Sequence, residues 1–132
     1  LKGKVFDRCF YVVSEIQRVQ AATKDLEAND LKAFGKKMYE THEGLSKLYQ
    51  VSCPELDFLV NEAKKTGKVF GARMMGGGFG GCTINILKEN DADEVIASLT
   101  QAYKEKYNID MPAYRVRIKD GTSVLSTAPV SK

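Results

Sequence analysis

The chain has 132 residues, of which 43% are hydrophobic and 28% charged, and a net charge of +3 from 20 basic and 17 acidic side chains. That length suits one domain around one core, and that balance excludes an intrinsically disordered chain. The charges are interleaved with no basic block or aromatic ladder, and no apolar run nears the roughly 20 residues that cross a bilayer. Neither nucleic acid nor membrane is therefore an expected partner, and with no secretory leader visible a cytoplasmic protein is expected.

Cys9, Cys53 and Cys82 are odd in number and far apart, which predicts reduced, mostly buried thiols rather than disulfides or zinc ligands. One histidine gives no basis for a catalytic metal centre. The sequence opens at Leu1 inside a helical pattern without an initiating methionine, and reads as a piece of something longer.

From Lys4 to about Ala28, Phe6, Cys9, Phe10, Val12, Val13, Ile16, Val19, Ala22 and Leu26 recur at helical spacing, which predicts an amphipathic helix with Asp7, Arg8, Glu15, Arg18 and Lys24 on its far side. Asn29 and Asp30 can stop it and cap a second helix running to about Leu48. The second stripe is Leu31, Phe34, Met38, Leu45 and Leu48, with Gly35 and Gly44 as tolerated weak points. Short connections make the two an antiparallel pair. Ser52 and Glu55 have capping-box spacing before a third helix, Pro54 to about Lys65, whose buried face is Leu56, Leu59, Val60 and Ala63 and which Thr66-Gly67 ends.

At Val69 the period changes to two. Phe70, Ala72 and Met74 fall on one side of a strand, and Gly71, Arg73 and Met75 on the other. A second strand alternates Cys82, Ile84 and Ile86 with Thr83, Asn85 and Leu87. Asp91 and Glu94 repeat the capping-box spacing before a fourth helix with the face Val95, Ile96, Leu99, Ala102 and Tyr103, fraying near Tyr107. Tyr114, Val116 and Ile118 alternate with Arg115, Arg117 and Lys119 as a third strand, and Asp120-Gly121 signals a hairpin returning through Thr122 to Leu125. The tail 126–132 reads as disordered. This order predicts an α+β fold, an antiparallel sheet with helices packed on one face.

Between the first two strands, five of the chain's eleven glycines occupy the six positions Gly76 to Gly81, with Phe79 as the sixth residue. Such a run weakens a chain unless its backbone must take positive φ or approach another group closely. Backbone N–H groups turned to one side form an anion cradle, which points to a phosphate ligand. The generic dinucleotide and Walker patterns fail on context: a strand rather than a helix follows, and Gly81-Cys82-Thr83 has no lysine. The protein-kinase glycine loop fails as well, because its partner motifs are absent. A glycine-rich hairpin without ligand remains open.

The stretch Gly71-Ala72-Arg73-Met74-Met75-Gly76-Gly77-Gly78-Phe79-Gly80-Gly81-Cys82 resembles the C-terminal signature of galactokinases, sugar kinases of the GHMP superfamily. Val51 to Asp57, Phe34 to His42 and Tyr114 to Leu125 are similar to other parts of a galactokinase C-terminal half. The resemblance implies a GHMP kinase C-terminal (ferredoxin-like) domain over 1–125 with a flexible tail at 126–132. It also implies transfer of the ATP γ-phosphoryl group to the anomeric hydroxyl of galactose, with magnesium, in a cleft between two domains. The family's sugar signature, serine-rich phosphate loop, catalytic aspartate and arginine belong to an N-terminal half that no stretch here matches. That missing domain becomes the expected partner, ATP and magnesium are expected to be held mainly by it, and the fragment alone is expected to be inactive.

By the same resemblance Gly76, Gly77, Gly78, Phe79, Gly80 and Gly81 form one wall of the cleft, with Arg73 as a further substrate- or nucleotide-binding candidate; no catalytic or metal-binding residue is assigned. From the residues alone, Arg73 can neutralise phosphate or brace the loop, but most arginines near clefts hold a neighbouring segment in an ion pair, and that role is expected first. His42 reads as a packing histidine, for which the sequence names no carboxylate partner. Phe79 reads as a plug seating the loop on the core. Arg115, Arg117 and Lys119 form a solvated strand face or meet the missing domain. A kinase for an N-acetylated sugar and a non-catalytic α+β small-molecule-binding module stay open as alternatives.

Overall fold

The computed structural model describes residues 1–124. Its elements are α1 (Gly3–Glu27), α2 (Leu31–Lys47), α3 (Pro54–Lys65), β1 (Val69–Met75), β2 (Cys82–Leu87), a 3-10 turn at Glu89–Asp91, and α4 (Ala92–Tyr107). The centre of the molecule lies where α3, β1 and α4 meet, in a cluster of Val60, Ala63, Val69, Ala72, Val95 and Leu99. α3 buries the four residues its sequence predicts, Leu56, Leu59, Val60 and Ala63, because each is apolar and their spacing keeps them on one side.

β1 and β2 pair antiparallel from Val69↔Leu87 to Met75↔Cys82, with an irregularity between Val69 and Gly71. That irregularity places Phe70 out of the alternation, so Val69 is buried with Ala72 and Met74 while Phe70 is only half-buried. Among the described residues the sheet has two strands. The expected third strand and its return do not form: Tyr114, Val116, Ile118 and Val124 lie exposed in a segment without regular structure, and Leu125 falls outside the described residues. Alternation makes a segment suitable for a sheet but does not supply the neighbouring strand that its N–H and C=O groups need. Arg115 instead pairs with Asp93, and Arg117 approaches Glu89 at 3.8 Å, all exposed.

α2 lies against β1 partly through direct backbone contact. Gly35 meets the Phe70 carbonyl and Gly71 so closely that neither glycine has room for a Cβ. Farther along, the Met74 N–H donates to His42 Nδ1 at 3.0 Å. Gly35 to His42 is about 10 Å of helix, and Phe70 to Met74 is about 13 Å of strand, so the two elements run side by side in the same sense. The buried residues of α2 are therefore Gly35, Met38, Thr41, His42 and Gly44; of the predicted stripe Met38 is buried, Phe34, Leu45 and Leu48 are half-buried, and Leu31 is exposed. Gly35 and Gly44 are close-contact positions rather than tolerated weak points, Gly44 receiving the Tyr11 ring.

α1 reverses the expected amphipathic arrangement. Its polar side faces α2: Glu15 accepts from Thr41 Oγ1 at 2.9 Å and pairs with Arg18, Arg18 reaches Glu40 at 3.5 Å, and Lys37 reaches Asp25 at 2.5 Å. Tyr11 is the one buried residue of the helix. Most of the predicted apolar stripe, including Phe6, Phe10, Val13 and Ile16, is exposed, because the charged side takes the complementary partners on α2; only its C-terminal part, Val19, Ala22 and Leu26, borders a groove with Phe34 and Met38.

Caps follow the backbone. Asp30 accepts the Ala33 N–H at 2.9 Å as predicted, and Asn29 ends α1 with φ 56°. The two predicted capping boxes are absent. Cys53 takes the N-cap of α3 without a side-chain bond, and the Ser52 hydroxyl turns to Asp57 instead. Asp91 has φ −92° and ψ −7°, since the 3-10 turn runs straight into α4, and an N-cap acceptor needs extended backbone; Glu94 pairs with Lys68. No helix is long and apolar enough to cross a membrane among the described residues.

Candidate functional site

The glycine loop joins β1 to β2, and its shape comes from a run of left-handed backbone. Gly76, Gly78, Gly80 and Gly81 have φ between 87° and 143°, and Phe79 has φ 61°. Gly78 is the position where glycine is required twice over: its φ is +88°, and a Cβ there would lie 2.4 Å from the Val51 carbonyl oxygen. The same carbonyl accepts the Phe79 N–H at 2.7 Å, so the tip of the loop is tied to the segment between α2 and α3.

Phe79 does not seat the loop on the core. Its side chain is 76% exposed, and the anchoring is done by its backbone N–H. Cys82, directly after the loop, is also exposed, as is Cys9, while Cys53 is half-buried; the expectation of mostly buried thiols is not met. The two exposed thiols sit on the bare face of α1 and at the rim of the loop, away from the core where burial would have placed them.

Arg73 stands on β1 ahead of the loop, but it lines a different feature, a groove of about 330 Å³ shared with Glu15, Arg18, Phe34, Lys37 and Thr41. None of the loop glycines lines that groove. The ion pair expected of Arg73 is not formed: no carboxylate lies within 4.0 Å of it among the described residues. The structure thus brings Gly76 through Gly81 together in one loop and turns Arg73 toward α1 and α2.

The anchor beneath the loop was not legible as a cluster. His42, 5% exposed, has a carboxylate partner after all: its Nε2 lies 2.8 Å from Asp57 Oδ1. Because the Met74 N–H can only donate, His42 Nδ1 accepts, and the ring proton sits on Nε2, facing Asp57. Asp57 also accepts from Ser52 Oγ at 2.7 Å and Ser46 Oγ at 2.9 Å. Asp57 follows Ser52 by five positions across a helix start, and His42 and Ser46 are one turn apart on α2, a spacing that could have suggested a shared partner.

Tyr11, packed on Gly44 and 5.4 Å from the Tyr49 ring, has its phenol pushed up to about 12, mainly by burial and then by the neighbouring Glu15 carboxylate. No group of three or more His, Cys, Asp or Glu side chains is placed to hold a metal ion among the described residues.

A family profile described as GHMP kinases C terminal matches residues 22–105. Galactokinase of Bos taurus is 43% identical over 125 residues, covering 95% of this chain and 31% of that protein. Galactokinase of Clostridium acetobutylicum is 44% identical over 119 residues, covering 90% and 31%. Among solved structures, Lactococcus lactis galactokinase complexed with galactose superimposes with a TM-score of 0.79 at 32% identity, over 83% of this chain and 28% of that one. Mevalonate kinase of L. major in complex with R-mevalonate gives 0.61 at 26% identity. The chain spans about a third of the length of the relatives it matches.

Proposed function

Since the chain belongs to the GHMP kinase C-terminal family, we propose that it is the C-terminal part of a galactokinase, and that its glycine loop forms one wall of the cleft in which ATP phosphorylates the anomeric hydroxyl of galactose. The observation that carries this reading is the likeness to galactokinases of 42–44% identity along about nine-tenths of the chain. Phosphoryl transfer is catalysed largely by positioning and by stabilising charge on the transferred group. A loop of left-handed glycines suits the wall of such a cleft, because the missing Cβ atoms let a charged ligand approach the backbone.

The remaining two thirds of the relatives' length would supply the sugar pocket, the phosphate loop, the catalytic side chains and the hold on ATP and magnesium. The exposed apolar face of α1 and the unpaired 109–124 segment are the surfaces that such a domain would cover. Residues 1–125 form the C-terminal domain in this reading.

The test is to purify this chain and the complete polypeptide separately and assay both with magnesium, ATP and either galactose or N-acetylgalactosamine. The complete protein is expected to phosphorylate galactose, the chain alone neither sugar. Preference for the N-acetylated sugar would move the assignment to a related kinase, and activity in the chain alone would overturn the division of labour. No kinase activity in the complete protein, with a small molecule still bound, would favour a non-catalytic module.

A further inference from the structure

The carboxylate of Asp57 is the meeting point of three donors: His42 Nε2 at 2.8 Å, Ser52 Oγ at 2.7 Å and Ser46 Oγ at 2.9 Å. All three lead on to the glycine loop. His42 Nδ1 receives the Met74 N–H, two residues before Gly76, and so fixes the root of the loop. Ser52 fixes its neighbour Val51, whose carbonyl receives the Phe79 N–H and so fixes the tip. Ser46 stands beside Leu45, whose carbonyl accepts the Val51 N–H at 3.0 Å, so it gives a second, weaker hold on the residue that anchors the tip.

We infer that Asp57 is a positioning residue for the glycine loop, which through His42 and Ser52 holds the root and the tip at a set separation and so aims the loop's backbone. A glycine-rich loop has little side-chain packing to hold its own shape, and Phe79, its one large side chain, points to solvent. Its conformation therefore depends on what is tied to its two ends. A carboxylate is the right acceptor for this work, since it can take several donors at once and holds each more strongly than a neutral oxygen would. The inference rests on the reading of the loop as a cleft wall, because only there does loop geometry affect turnover.

The experiment uses the complete polypeptide that contains this chain, with Asp57→Ala, Asp57→Asn, Ser52→Ala and Ser46→Ala, and two readouts: hydrogen exchange in peptides from 74–82, and kcat and KM for galactose phosphorylation. Asp57→Ala is expected to raise loop exchange at least about tenfold while α4 peptides keep their protection. Turnover should fall about tenfold or more, with KM for ATP within about threefold of the parent. Asp57→Asn, which keeps an oxygen toward His42 and Ser52, should retain most of both, and Ser46→Ala should loosen the tip less than Ser52→Ala does, since the Val51 N–H keeps its backbone partner Leu45.

Unchanged loop exchange in a folded Asp57→Ala protein, or an equal rise in every peptide, would overturn the inference. Should Asp57→Ala not fold, Ser52→Ala decides: faster exchange at the tip with the Met74 root unchanged supports it, and no change at the tip overturns it. A loosened loop with intact turnover would support the positioning role and overturn the cleft-wall reading instead, whereas lost turnover with an unaltered loop would do the reverse.

Discussion

Replacing Gly35 by alanine sets two known effects against each other. Alanine is the better helix former by about 1 kcal/mol, and in an exposed helix the change would stabilise. Here the added methyl would lie 2.0 Å from the Phe70 carbonyl oxygen and 2.8 Å from the Gly71 nitrogen, both backbone atoms that no rotamer change can move aside. Since real Cβ contacts essentially never fall below 3.0 Å, α2 must retreat from β1 by at least 1.0 Å, the difference between 3.0 and 2.0. That retreat strains the contacts of Met38, Thr41 and His42 as well. Overpacking of this kind costs about 1–3 kcal/mol, and its upper end applies where nothing flexible can yield. Set against the propensity gain, the net loss is about 2 kcal/mol, a large share of the roughly 5–15 kcal/mol that holds a domain together. Urea denaturation of the parent, Gly35→Ala and Gly121→Ala measures it. With a slope of about 2 kcal/mol per M, Gly35→Ala should unfold about 1 M earlier, while Gly121→Ala, with open space around it, should stay within about 0.5 kcal/mol. A Gly35→Ala midpoint at or above the parent would show that helix and strand are not in backbone contact.

Within the loop, Gly77→Ala and Gly78→Ala separate function from fold. Gly77 has open space and ordinary φ, so its variant should melt like the parent, and on the cleft-wall reading it should slow phosphorylation of galactose by the complete polypeptide, whereas Gly78→Ala should also lose about 2–5 kcal/mol of stability, about 1–2 for its left-handed backbone and about 1–3 for the clash with the Val51 carbonyl; equal melting of the two would refute the distinction. Leu56→Ala, at a side chain 2% exposed, should cost about 2–5 kcal/mol by calorimetry. The raised phenol of Tyr11 means that the unfolded chain ionises first as pH rises, near 10, while the folded chain keeps its proton until about 12. Its contribution to stability is therefore complete below pH 10 and is lost between 10 and 12; melting curves across that range should show a smaller decline in Tyr11→Phe than in the parent. Cys9 and Cys82 should react with a thiol reagent faster than the half-buried Cys53, as peptide mapping after brief labelling would reveal.

Where the sequence could be read, composition and position agreed. α3 was legible because all four of its inward residues are apolar, and the two strands with their glycine loop were legible because the period changes sharply at Val69. α1 departs from its pattern because its inward face is held by ions: pattern recognition follows apolar residues, and here Glu15, Arg18 and Asp25 find partners 12 to 26 positions away on another helix, which spacing alone does not show. The same limitation hid the anchor of the loop, since nothing local joins His42 to Asp57 or to the Met74 N–H. At 114–124 the alternation was real and the strand was not, for want of a neighbour.

The ionic seam between α1 and α2, with its bare apolar outer side, gives the helix two opposite responses to salt. Added electrolyte shortens the range of charge–charge attraction and slackens the seam. A strongly excluded salt such as ammonium sulfate at the same time drives apolar surface out of water. On precipitation with that salt, α1 is therefore the part of the molecule expected to let go of its own domain while adhering to other copies, so salting out will not be a neutral purification step for this chain.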